Sequence, residues 1–133
     1  MRHFTPEEAN KALVEVRPLV EELVSTRRAH VEALGRQESV ETRIRGNGGG
    51  MPPATLAEAA AAFQHEERRL AQLVEEIRAR GAQVKDVDEG LIDFPALRDG
   101  ETVLLCWQLG EDEIRYWHRV EDGFAGRREL PFD

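Results

Sequence analysis

The stretch "LIDFPALRDGETVLLCWQL", residues 91–109, reads as two β-strands folded about Asp99-Gly100. Asp-Gly is preferred in two-residue type I′ turns, because both central residues there need a positive φ. That turn sets a register. Leu97 faces Thr102, Phe94 faces Leu105 and Ile92 faces Trp107. Directly opposed residues share one face of a sheet. Ile92, Phe94, Val103, Leu105 and Trp107 therefore form an apolar face. Asp93, Pro95, Leu104 and Cys106 form the other.

The period of two extends to both sides of this pair. Further turn signals stand at Asp88-Glu89-Gly90, Gly110-Glu111-Asp112-Glu113 and Glu121-Asp122-Gly123. They delimit four strands, near 83–87, 91–97, 102–109 and 114–120. Short turns make neighbouring strands antiparallel. If Glu111-Asp112 turns the last hairpin, Trp107 faces Tyr116, Leu105 faces His118 and Val103 faces Val120. Tyr116 and His118 then join the apolar face. Arg115, Trp117 and Arg119 join Asp93 and Cys106 on the outer one. A slip of one residue would exchange the two sets, since the side-chain period is two.

Upstream the period is helical. Thr5-Pro6-Glu7-Glu8 combines an N-cap, a proline at the first helical position and a capping-box glutamate. Leu13, Val16, Val20, Leu23, Val24, Val31 and Leu34 follow as one stripe, interrupted by Pro18, where a kink or break is expected. The helix should end near Ile44. Residues 46–53, "GNGGGMPP", read as a linker. Thr55-Leu56-Ala57-Glu58 reads as a second capping box, and Gly81 as the residue that ends the second helix. Two long helices joined by a short loop pack antiparallel. The expected fold class is α+β, one domain over 1–133. A long antiparallel helical hairpin spans 5–81, with its Gly-rich loop at 46–53. A four-stranded antiparallel β-meander with a C-terminal latch spans 82–133.

Composition narrows the function. The chain has 133 residues, a net charge of −8 and a single cysteine. Residues 82–113 carry 2 basic against 9 acidic residues. Phosphate-backbone binding needs clustered positive charge, so no nucleic-acid partner is expected. No stretch reaches the roughly 20 apolar residues of a membrane span, and no leader is apparent. Cys106 alone can form neither an internal disulfide nor a cysteine-based zinc cluster. These features suit the cytoplasm.

Three groups of residues invite a role. Arg27 and His30 interrupt the first helical stripe; Glu66 and Glu67, with His65 beside them, interrupt the second. With His118 they form a candidate semi-buried polar network, read first as structural, then as a metal site or an acid/base pair. No ligand spacing such as HExxH supports a metal, and none is expected. Asp93, Cys106, Arg115, Trp117 and Arg119 form a candidate surface patch, with arginines stacked on the tryptophan. Cys106 lies opposite His118 across the sheet on this register, so no Cys–His pair is expected. Arg127 and Arg128, in "GFAGRR", can fork onto a carboxylate such as Asp93 or Asp86.

The stretches "FTPEEAN", "GNGGG" and "VKDVDEGLIDFPALRDGETVLLCWQLGEDEIRYWHRVEDGFAGRREL" together resemble the bacterial domain of unknown function 2203 family. The resemblance covers essentially the whole chain and is most specific over residues 84–130. It brings no established activity and no catalytic residue. It implies that the terminal block is one motif, with Lys85, Asp86, Asp93, Phe94, Pro95, Cys106, Trp107, Tyr116, Trp117, His118, Gly123, Phe124, Gly126 and Arg127 matching the pattern. The expected function is a small, non-enzymatic interaction or scaffold protein that self-associates and has no cofactor. The alternative is an enzyme or a ligand- or metal-binding protein, with a polar pocket around His118, Arg127 and the acidic residues at 86–93.

Overall fold

The computed structural model describes residues 2–46 and 53–132, and side chains over the same residues except 37, 40–46 and 53–55. Helices α1 (Pro6–Gly46) and α2 (Pro53–Ala79) precede strands β1 (Gln83–Asp86), β2 (Leu91–Arg98), β3 (Glu101–Gln108), β4 (Tyr116–Arg119) and β5 (Arg128–Glu129). The sheet runs β1-β2-β3-β4-β5 in space, with every neighbour antiparallel. The fold is α+β, with five strands where four are expected. The fifth comes from the C-terminal latch: Arg128 pairs with Trp117 and Glu129 with Tyr116. Among the described residues, no helix is long and apolar enough to cross a membrane.

Local chemistry starts and stops the helices. The Thr5 amide donates to Glu8 Oε1 at 2.9 Å and the Glu8 amide to Thr5 Oγ1 at 3.1 Å, the reciprocal bonds of a capping box. The Thr5 amide holds the Glu8 carboxyl below its ordinary pKa. Helix α1 continues through Pro18 without a break. Val16 and Val20 are fully buried on either side of it, and their packing offsets the lost hydrogen bond. Helix α2 begins at Pro53, so Thr55 lies inside it rather than capping it. The central glycines of the linker lie outside the described residues. Gly81 ends α2 with φ 96°, and a Cβ there would meet the Phe4 ring at 2.3 Å. Only glycine fits both conditions.

The chain forms two compact units. One is Ser25–Gln72; the other ends at Val24 and resumes at Leu73. The second contains the sheet. Its core joins Leu13, Val16, Val20 and Leu23 of α1 and Leu73 and Ile77 of α2 with Ile92, Phe94, Leu105 and Trp107 of the strands. Phe4 meets Phe94 edge-on at 5.1 Å. In the Ser25–Gln72 unit the buried line runs through Thr26, His30 and Ala33, while Val31 and Leu34 are exposed.

The β2–β3 register is the expected one: Ile92 pairs with Trp107, Phe94 with Leu105 and Leu97 with Thr102. Asp99 and Gly100 have φ of 52° and 81°, both positive as the turn type demands. The β3–β4 register differs by one residue. Leu104 pairs with His118, Leu105 with Trp117 and Cys106 with Tyr116. The cause is the connection, which is not a two-residue turn. Trp107 Nε1 donates to the Glu111 carbonyl, and the Gln108 amide to Glu111 Oε1. From α1, Arg17 donates to the Asp112 carbonyl and Asn10 Oδ1 accepts the Ile114 amide. The strand resumes only at Tyr116. Trp117 therefore shares the face of Leu105. Tyr116 and His118 share the face of Cys106 and Asp93.

Candidate functional site

Three strands bring Asp93 (β2), Cys106 (β3) and His118 (β4) together on the sheet face away from Phe94 and Leu105. Asp93 and Cys106 are cross-strand partners, and His118 enters the same face through its pairing with Leu104. All three are buried. One carboxylate oxygen, the thiol sulfur and one imidazole nitrogen lie within 4.8 Å of one another.

The hydrogen bonds define the imidazole. His118 Nδ1 lies 2.8 Å from the Arg119 carbonyl oxygen. A carbonyl oxygen only accepts, so Nδ1 carries a hydrogen. Nε2 lies 3.3 Å from Asp93 Oδ1. Two lone pairs facing each other at that distance repel. A proton held on Nε2 or on Asp93, or a cation between them, relieves the repulsion. Burial raises the pKa of Asp93, and the charge of His118 pulls it partly back. Burial also drives the Cys106 thiol up to about 12, with Asp93 adding to the rise. Cys106 is thus a neutral thiol that donates to Asp93, and it is no nucleophile in this state.

Beside this cluster Arg127 donates from one terminal nitrogen to both oxygens of Glu111, at 2.7 and 2.8 Å. Its guanidinium stands 4.0 Å from the Tyr116 ring centre and 4.6 Å from that of Phe124. The carboxylate it meets is Glu111, not Asp93 or Asp86. Asp86 instead accepts the amides of Asp88 and Glu89 and caps its own turn.

The expected patch does not assemble. Trp117, Asp93 and Cys106 are buried, and Trp117 faces away from the other two. The arginines stacked on Trp117 are Arg98, at 4.9 Å, and Arg128, at 5.3 Å. Arg115 is exposed and pairs with Asp112 at 2.9 Å, and Arg119 is exposed. In the Ser25–Gln72 unit, His30 stacks on Phe63 at 4.5 Å; Glu66 is half-buried and Glu67 exposed. His118 bonds with Asp93 and Arg119, both in the sheet unit. The Cys106–His118 proximity was hidden by the one-residue slip alone, since the β2–β3 register already joins Asp93 to Cys106.

A family model described as "Uncharacterized conserved protein (DUF2203)" matches residues 2–130, and the chain belongs to that family. No curated protein and no solved structure matches it.

Proposed function

We propose that this member of the DUF2203 family binds a divalent transition-metal ion, zinc first, through Asp93 Oδ1, Cys106 Sγ and His118 Nε2. The carrying observation is the convergence of these three buried groups from three strands within 4.8 Å. The His118 Nδ1–H···O=C bond supports the reading, because a carbonyl that accepts from the other ring nitrogen directs the Nε2 lone pair of a metal-bound histidine. Zinc takes such sulfur, nitrogen and oxygen ligands at about 2.0–2.3 Å, so the three groups draw closer together on binding. The thiolate disfavours magnesium and calcium. Three protein ligands leave a fourth position for water or an incoming group. Binding expels the Cys106 proton and the proton shared by Asp93 and His118. The ion then ties β2, β3 and β4 together. This reading concerns binding and assigns no reaction.

Cobalt(II) titration tests it. One equivalent should produce the near-ultraviolet thiolate charge-transfer band and visible tetrahedral bands in the wild type. Cys106→Ala and His118→Ala should lose both. Wild-type protein that stays folded and shows neither band, or variants that match it, would sink the reading.

Self-association is a second reading, with the helices forming an antiparallel hairpin. Exposed Val31 and Leu34 favour it, as does the length of α1. Its 41 residues extend about 60 Å at ~1.5 Å per residue, and the surplus would pair with a second copy. Light scattering at micromolar concentration should give twice the 15.1 kDa chain mass; a monomer overturns it.

A further inference from the structure

A buried ion site needs a route in, and Arg127 pairs with Glu111 beside this one. We infer that the Arg127–Glu111 pair is a gate that controls access to the Asp93–Cys106–His118 site. This inference rests on the metal-binding reading for its purpose, but not for its test.

Arg127 covers Tyr116, the direct cross-strand partner of Cys106. Both Arg127 and Glu111 stand close enough for their charges to act on the Cys106 thiol. The tether is slender. One terminal nitrogen meets Glu111, while the buried Nε has no hydrogen-bond partner. A guanidinium held mainly by two rings and one carboxylate, with a donor unsatisfied, gains hydration when it swings out. Arg127 also lies on a short segment between the Phe124–Gly126 turn and two-residue β5, so it can move without disturbing the central strands. Closed, its positive charge repels an approaching cation. Open, it leaves the Glu111 carboxylate to attract one.

Cys106 is the single cysteine of the chain, so its slow alkylation by N-ethylmaleimide in the metal-free protein reports access and the thiolate fraction together. Arg127→Ala should speed that reaction about tenfold or more. Electrostatics alone predicts the opposite sign, because Arg127 favours the thiolate; acceleration therefore measures opening. Arg127→Gln, a milder change that loses the charge and the ion pair but keeps a polar side chain, should also accelerate it and serves if Arg127→Ala folds poorly. Zinc release from the wild type to a chelator should quicken in the same variants. Alkylation no faster than in the wild type, or faster only in proportion to lost global stability, overturns the gate. Wild-type protein that takes up no zinc fails the metal reading instead and leaves the alkylation result standing.

Discussion

Asp93 is a carboxylate almost without access to water, and its partners decide what that burial costs. Burial raises its pKa, with His118 opposing. A raised pKa means the folded state holds the proton more tightly than the unfolded chain. The penalty for ionising Asp93 in the fold is absent below the ordinary carboxylate range. It is fully present above the raised value, so its contribution to stability falls as pH rises between the two. Asp93→Asn removes that penalty and keeps an oxygen that can accept from Cys106. Metal-free Asp93→Asn should therefore gain on the wild type in urea midpoint as pH rises from about 3 to about 8. Zinc should reverse the order at the upper end, because an amide is a poor substitute for an anionic ligand. Parallel denaturation curves with and without zinc check both halves; a pH-independent difference would show that Asp93 is not the titrating group.

At the scale of elements, two hairpins of similar appearance differ in how much of their geometry is local. Asp99-Gly100 specifies its own backbone angles, so the β2–β3 register was readable from residues 91–109. The connection from Gly110 to Arg115 announces a turn but not its length. Its course depends on Asn10 and Arg17, far away in sequence on α1, and on the indole of Trp107. No local pattern contains Asn10 or Arg17. A difference of one residue then reverses the faces of Tyr116, Trp117 and His118, because strand side chains alternate. The capping box at Thr5 and the end of α2 at Gly81 were legible for the same reason as the first hairpin. The fifth strand was not, since its two residues carry no period. The observed register makes Trp117 part of the packed face, between Arg98, Arg128 and Phe132. Trp117→Ala should cost about 3–5 kcal/mol. Metal-free His118→Ala should cost less, about 1–3 kcal/mol for a buried hydrogen-bonded group. Equilibrium urea unfolding ranks them, and His118→Ala as the more damaging change would restore the alternative register.

At the scale of the whole molecule, the large apolar side chains are unevenly divided. The sheet unit buries Trp107, Trp117, Phe94, Ile92, Leu105, Leu13, Leu23, Leu73 and Ile77 almost completely. Among the described residues of the Ser25–Gln72 unit, the buried positions are Thr26, His30, Ala33 and Ala59. Each removes little apolar surface from water, and buried apolar area is the main stabilising contribution. His30 adds a buried Nδ1 without a hydrogen-bond partner. Apolar residues at Val31 and Leu34 stay outside the buried line, so the helical stripe visible in the sequence overstates the packing available to this unit. Local opening free energies follow buried contacts and fall well below the global value where those contacts are few. Amides of residues 25–46 and 53–72 should therefore exchange hydrogen through local opening, at least tenfold faster than those of β2 and β3. Zinc bound as proposed should slow exchange in β2, β3 and β4, which it would cross-link, and leave residues 25–46 and 53–72 unchanged. Exchange followed by mass spectrometry, at several protein concentrations, separates the cases. Protection within 25–72 that rises with concentration would show a second copy covering Val31 and Leu34. Uniform protection across both units at high dilution would contradict the division of stability argued from their cores.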